Sequence, residues 1–355
     1  MSKVRIGLVG CGLVALSVHL KNLPRLVSSE LVALADPDPN RRERARQLAP
    51  QAKIFEDYHD LLALPTIDAV IVSVPYEEHA KATIAAINAG KHVYLEKPFA
   101  TNLADAQRIV ECWQGSDRVV MVGFNYRFHP LYQALKQAIQ ANQIGNPNST
   151  RSTFCFVPQT GIDWQITRHG SFGAIFDIAP HHIDLVRFLL ETDVAEVFMQ
   201  ARSPYSKNDT VLLQLRMVND VLVQSFFCLH AVEVGQVEIY GTDGKLAVDH
   251  YRSLAVEFTT PKIGRFARAK QGLSHLLQPI TQSHYLLEKL RSPWHEPSFL
   301  RSITHFVNTV RHQQPVFPNV WDGYCNQQVI DAAQESAQTG KIVVLSGIPD
   351  ILTQS

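Results

Sequence analysis

The sequence predicts an α/β protein: an N-terminal doubly wound parallel sheet, then an α+β domain with a large, mostly antiparallel open sheet. Three observations carry this. Val- and Ile-rich runs alternate with helix-length segments over the first 125 residues, strand-like runs then follow one another with little helix between them, and a glycine loop joins the first strand to the first helix.

Val4–Val9 reads as a buried strand running into Gly10-Cys-Gly-Leu-Val-Ala15 and a helical stretch through Leu23. Leu31–Ala35 is a second apolar run ending at Asp36, Asn40–Leu48 a charged helix, and Ala69–Val74 an uninterrupted β-type run. Glu77–Ala89 has helical spacing and stops at Gly90, a usual residue after a helix end. Strand Lys91–Leu95, helix Leu103–Cys112 and strand Val119–Phe124 follow. Strands separated by helix-length segments imply parallel βαβ units with both sheet faces covered, and right-handed crossovers make the sheet doubly wound.

After Phe124 the texture changes. A helix over Leu131–Asn142 precedes strands at Thr150–Val157, Val194–Arg202, Thr210–Val218, Val221–Leu229 and Val234–Gly241, with a tight turn at Val218-Asn-Asp-Val221. Val211-Leu-Leu-Gln-Leu-Arg-Met alternates cleanly, so one sheet face packs on helices and the other is left for a partner subunit. A chain of 355 residues suits two domains, at roughly 100–200 residues each. They are expected at 1–125 and 126–355.

Composition excludes several classes. Hydrophobic residues make up 46% and charged residues 19%, enough for a large core. Lys plus Arg and Asp plus Glu number 33 each, so neither nucleic acid nor a membrane surface is an expected partner. Five scattered cysteines without a Cys-x-x-Cys pair argue against disulfides and structural zinc; no metal is expected, and a reducing cytoplasm fits. The first strand begins at Val4, so a signal peptide is not expected, and no apolar run approaches the roughly 20 residues that cross a bilayer.

The glycine loop is G-x-G-x-x-A. Gly10 permits a tight turn, Gly12 lets backbone amides approach a pyrophosphate, and Ala15 is small enough for close helix–strand packing. Phosphates would lie at the positive end of the following helix. Asp36, at the end of the next strand, supplies the context for dinucleotide binding: its carboxylate would accept ribose hydroxyls and repel a 2′-phosphate. NAD is therefore expected, with NADP left open by Arg41 and Arg42, which read more simply as first-turn helix residues.

Two features point to chemistry. Lys97 ends the run His92-Val-Tyr-Leu, at the carboxyl end of a parallel strand, where open α/β sheets bind ligands. The plainer alternative is a lysine snorkelling from a strand end. Asp177, His181 and Asp184 follow one another at spacings of four and three, on one helical face of an otherwise apolar segment. Such a stripe is expensive to bury unless it forms a satisfied polar network or serves a reaction. Pro180 should interrupt the helix, leaving a short turn at Asp177 and a helix restarting at Pro180; His182 points elsewhere and reads as structural.

With these residues in place, the chain resembles the glucose–fructose oxidoreductase/inositol dehydrogenase/MocA family over nearly its whole length. The resemblance rests on Gly7-Leu-Val-Gly-Cys-Gly12 with His19, Ala35-Asp-Pro-Asp38, Val74-Pro75 with His79, Glu96-Lys97-Pro98, Gly123-Phe-Asn-Tyr-Arg-Phe-His-Pro130 and Asp177-x-x-x-His181-x-x-Asp184. It implies a nicotinamide facing Lys97 and His181, Asp177 beside them, and Asp184 near the substrate with Tyr126, Arg127 and Trp164. It implies cofactor contacts from Gly10, Gly12, Leu13, Asp36, Ser73, Pro75, His79, Glu96 and Asn125, a cis Lys97–Pro98 peptide, and dimers or tetramers formed through the second sheet. Ala179, Gly170-Ser-Phe-Gly173 and Trp164-Gln165 depart from the usual pattern, so no relative's substrate can be copied; Lys262–Trp294 matches poorly and reads as a surface excursion.

The expected function is hydride transfer between NAD(P) and a secondary alcohol or ketone of a sugar, cyclitol or related polyol. His181 would be the base, oriented by Asp177 or Asp184, and Lys97 would stabilise the developing alkoxide, or these two roles would be exchanged. The rivals are a non-catalytic NAD-binding sensor or scaffold, which should lack Lys97 or His181, and a reductase of an imine or conjugated ring.

Overall fold

The computed structural model describes residues 3–156, 173–261 and 283–347. The chain forms two compact units. One comprises Met1–Phe128 together with Ser292–Gln327, and the other His129–Arg291 with Gln328–Gly347. The division is therefore not a single cut near residue 125, because the chain returns to the first unit after Arg291.

The first unit holds six strands: β1 (Val4–Val9), β2 (Ser29–Ala35), β3 (Lys53–Phe55), β4 (Ala69–Val72), β5 (His92–Leu95) and β6 (Val120–Val122). They are ordered β3-β2-β1-β4-β5-β6, and every pairing is parallel. This is the doubly wound order, with its reversal between β1 and β4. Alternate strand residues feed opposite cores. Val70, Val72, Val93 and Leu95 meet Ala86 and Ile109 on one side. Ile6, Leu8, Ile71 and Tyr94 meet Ile303 and Phe306 on the other.

Those last two residues explain the non-contiguous unit. Helix Ser298–His312 is amphipathic, with Ile303, Phe306 and Val307 spaced for one buried face. The Phe306 ring lies 5.7 Å from that of Tyr94, edge to face, and the Tyr94 hydroxyl is 3.1 Å from Ser302 Oγ. Removing Phe306 to Ala should cost about 3–5 kcal/mol. Strand β3 and the helix Tyr58–Leu62 were not anticipated from sequence; they are too short to show a period.

The second unit carries β7 (Pro147–Cys155), β8 (Val194–Arg202), β9 (Thr210–Met217), β10 (Leu222–Cys228), β11 (Val234–Gly241), β12 (Gly244–Asp249), β13 (Glu257–Thr259) and β14 (Val343–Val344). Their order is β13-β12-β11-β7-β10-β9-β8-β14, antiparallel except for β7 with β10. β9 buries Val211, Leu213, Leu215 and Met217 and exposes the residues between, as its alternation predicts. The β9–β10 turn closes with Met217 N–H donating to Val221 O at 3.0 Å. Helices Pro130–Gln140 and Ala179–Leu190 accompany the sheet. Much of the 262–294 segment lies outside the described residues, but its end forms the helix Ser283–Arg291. No helix among the described residues is long and apolar enough to cross a membrane.

Candidate active site

In the first unit the predicted cofactor residues gather at the carboxyl ends of β1, β2, β4 and β5. Gly10 has φ +90°, and a Cβ there would lie 2.3 Å from Ser73 O, so only glycine fits this crossing of the β1 and β4 ends. At Gly12 an added Cβ meets nothing within 4 Å, so the second glycine faces open space where a ligand's phosphates can approach. The next segment is not a regular α-helix: Ala15–His19 is a π-helical turn, followed by Leu20–Asn22 and a 3₁₀ turn through Arg25. Leu13 lies partly exposed beside the loop. The Cys11 thiol is pushed up to about 12 by burial, with Asp36 adding to the effect, so it is no nucleophile.

Asp36 is buried, and its carboxylate accepts from Cys11 N–H at 2.7 Å and from Asp38 N–H at 2.9 Å. A carboxylate offers about four acceptor positions, so this fixed group can still take the two hydroxyls of a ribose. Both nearby arginines are engaged. Arg41 Nη1 stands 3.9 Å from Asp36 Oδ2 and its Nε 3.5 Å from Asp38 Oδ2, while Arg42 Nη1 donates to the carbonyls of Asp36 and Pro37. Both sit, partly exposed, in the first turn of helix Pro39–Leu48, as expected. Ser73 and Pro75 follow β4 and are partly exposed. Asn125 is buried; its Nδ2 donates to Ser298 Oγ at 2.7 Å, leaving Oδ1 without a partner among the described residues. A carbonyl oxygen held that way suits a ligand amide N–H. The glycine cradle, the anchored carboxylate and this acceptor all fit a nicotinamide dinucleotide.

Three residues have surroundings the sequence did not foretell. His79 is buried, with Nδ1 2.7 Å from Pro98 O and Nε2 3.1 Å from Val74 O, so the ring is committed to backbone carbonyls. Burial holds it below its ordinary range, hence neutral. Glu96 is buried too, with Oε1 2.8 Å from His19 Nε2. Arg127 is buried and pairs with Asp322 at 2.7 Å. Tyr126 is buried beside it in the chain. Trp164 lies outside the described residues.

Lys97 stands apart from its neighbours. It is the one residue of Val93–Ala100 that is not buried, and the Lys97–Pro98 peptide is cis, as the resemblance implies.

In the second unit the loaded segment is built as Pro180 requires. A single turn, Ala174–Asp177, precedes the helix Ala179–Leu190 with Pro180 in its first turn. Gly173 starts it at φ +71°, where a Cβ would lie 2.4 Å from Lys207 O. Within Gly173–Val186 only Asp177 and His181 are not buried. Asp184, on the same predicted stripe, has no exposed surface. His182 is buried, its ring 5.4 Å from Phe154 and 5.1 Å from Phe227; burial, then His250, pushes it down to about 3, so it is neutral and structural.

Ser298, Asp322 and the contacts of His19 and His79 were beyond sequence reasoning. Ser298 meets Asn125 across 173 positions and Asp322 meets Arg127 across 195, with no local pattern to link them.

Fold and residues together define a dinucleotide-dependent oxidoreductase. The model of the oxidoreductase family with an NAD-binding Rossmann fold matches residues 4–124, and that of the family's C-terminal alpha/beta domain matches 136–345. The chain belongs to the Gfo/Idh/MocA oxidoreductase family. It is 31% identical over 352 residues to an inositol 2-dehydrogenase of Acidothermus cellulolyticus, covering 96% of this chain and 94% of that one. It is 26% identical to a myo-inositol 2-dehydrogenase of Thermotoga maritima, covering 97% and 99%. Among solved structures, scyllo-inositol dehydrogenase from Lactobacillus casei, with bound NAD(H) and scyllo-inositol, superposes with a TM-score of 0.77 at 21% identity, covering 97% of this chain and 99% of that one. Myo-inositol 2-dehydrogenase from Lactobacillus plantarum gives 0.80 at 21% identity, covering 97% and 100%. At that identity the likeness shows the fold.

Proposed function

We propose that the protein is an NAD-dependent dehydrogenase that reversibly oxidises a secondary alcohol of a cyclitol, sugar or related polyol. The observation that carries this is the partial exposure of Lys97, Asp177 and His181, the residues of their two segments that are not fully buried. Side chains held out of otherwise closed elements are placed for a ligand rather than for packing. The names of the relatives supply the substrate class. When bound, NAD supplies the hydride acceptor. His181 takes the proton of the substrate hydroxyl, and Asp177 sets its ring orientation. Lys97 donates a hydrogen bond to the same oxygen as negative charge builds on it. Asp36 holds the adenosine ribose and Asn125 Oδ1 accepts from the nicotinamide amide. The test is incubation with NAD and a panel of inositols, sugars and open-chain polyols, watching absorbance at the reduced-nicotinamide band. Growth with one cyclitol or sugar is expected; silence with all of them, but consumption of NADPH with carbonyl compounds, would overturn the direction and the cofactor.

A homo-oligomer in a reducing cytoplasm completes the reading. Leu212, Leu222 and Val344 stand exposed at 40%, 58% and 71% on the open face of the second sheet, and all five cysteines are free thiols. A Leu222→Asp variant should lower the mass seen in light scattering; an unchanged mass would remove that face from the assembly.

A further inference from the structure

Lys97 is flanked by two residues, and each is held by a different buried histidine. Glu96 comes before it: its Oε1 lies 2.8 Å from Nε2 of His19, which the π-helical turn after the glycine loop delivers with 0% exposure. A Cβ placed on Gly123 would lie 3.1 Å from the other oxygen, Oε2, so that side of the carboxylate is packed against backbone. Pro98 comes after: its carbonyl lies 2.7 Å from Nδ1 of His79, the first residue of helix His79–Asn88. Behind it, Phe99 is 1% exposed and fills the space that any side chain at Gly323 would need.

The hydrogen-bond chemistry is specific. A carboxylate only accepts, so His19 donates through Nε2; His79 faces a carbonyl at each nitrogen, the nearer at Nδ1. His19 Nδ1, buried with no partner among the described residues, is then a bare lone pair rather than an unsatisfied donor. In a neutral His79 the shorter contact takes the single N–H.

We propose that His19 and His79 are positioning residues that bracket Lys97, fixing the chain on either side so that the ammonium is presented at one place. This rests on the proposed role of Lys97 in turnover. It assigns a reason for a buried histidine at each of two places far apart in sequence, where packing alone would favour an apolar side chain. Displacement of a reacting group by about 1 Å costs on the order of 10²-fold in rate, so the bracket acts on turnover and not on dinucleotide affinity.

The test exploits the two different nitrogens. Asn places its amide nitrogen where a histidine has Nδ1, and Gln places it near Nε2. In the full-length enzyme, His79→Gln and His19→Asn should each lose on the order of 10²-fold in kcat, with the NAD Kd from fluorescence titration unchanged. His79→Asn and His19→Gln should recover most of that loss. Equal losses with Asn and Gln at a position, or wild-type turnover in all four variants, would overturn the bracket. Lys97→Ala in the same panel separates the two ideas: if it retains turnover, the role given to Lys97 falls; if it is inactive while the histidine variants are not, only the bracket falls. Should the variants fail to fold, or no polyol be turned over, ¹⁵N spectra of histidine-labelled wild-type protein decide. His79 protonated at Nδ1 and His19 at Nε2 support the bracket, and the opposite tautomer in either overturns it.

Discussion

Val93–Ala100 and Gly173–Val186 differ in every local feature. The first is the end of a central parallel strand, apolar because both sheet faces are covered, and stopped by proline. The second is a helical turn and a helix, separated at Ile178, two residues before Pro180, and started by a left-handed glycine. Yet each closes nearly all its side chains into the interior and leaves out only charged or titratable ones: Lys97 in the strand, Asp177 and His181 in the helix. The strand does this by ending, and the helical segment does it where the turn that ends at Asp177 gives way to the first turn of the next helix, which carries His181. The candidate reactive groups are thus marked less by their type than by partial exposure against a buried background. His182 and Asp184 are chemically similar to their neighbours but have gone inside.

The comparison can be broken by experiment. The largest effect is expected from His181→Ala, about 10²–10⁴-fold in kcat with loss of the limb that this base gives the pH–rate profile; an unchanged profile would assign the proton elsewhere. Lys97→Ala should cost about 10²–10³-fold in kcat and leave NAD titration intact, as expected for a donor to a developing oxyanion. If NAD binding fell in parallel, Lys97 would be a cofactor contact instead.

His182 sharpens the contrast between inside and outside through stability. Its folded pKa, about 3, lies below the ordinary histidine value, so the unfolded chain binds the extra proton first. Stability from the neutral ring is complete above about pH 6.5 and falls with pH from there towards 3, by up to about 1.4 kcal/mol per unit. Urea unfolding at pH 7 and pH 5 should show a smaller acid-side loss in His182→Leu than in wild type; equal losses would mean the ring titrates normally. Asp36→Asn should raise the KM for NAD by roughly tenfold, the value of about one hydrogen bond to a charged group. A selective gain for NADP without that loss would show that Asp36 serves only to exclude phosphate. The smallest change belongs to Ser298→Ala, which frees the Asn125 amide to rotate; a KM for NAD up by a fewfold and kcat unaltered is the expected pattern.

Much of this was legible beforehand, for reasons that differ by region. The βα alternation and the β9 pattern were plain because burial on two faces or one writes directly into residue order. Gly10, Asp36 and the break at Pro180 were legible because each answers a local backbone demand. The helix Ser298–His312 was not, since amphipathicity says that a face is buried but not against which sheet. Strands β12, β13 and β14 are short or lie at the end of their order, so their apolar content gives no period to read. The Asp322 partner of Arg127 was not legible either, since nothing local links two residues so far apart.

The sequence by itself determined most of the βα elements, the cofactor loop and the candidate reactive side chains, because these depend on neighbours within a few positions. Only the tertiary structure decided which of those side chains are held outward and which are enclosed. It also decided which distant partners, such as Ser298, Asp322, His19 and His79, hold them. Hydrogen bonds that span 19, 77, 173 and 195 positions are set by how whole elements stack, and stacking leaves no local trace in the order of amino acids.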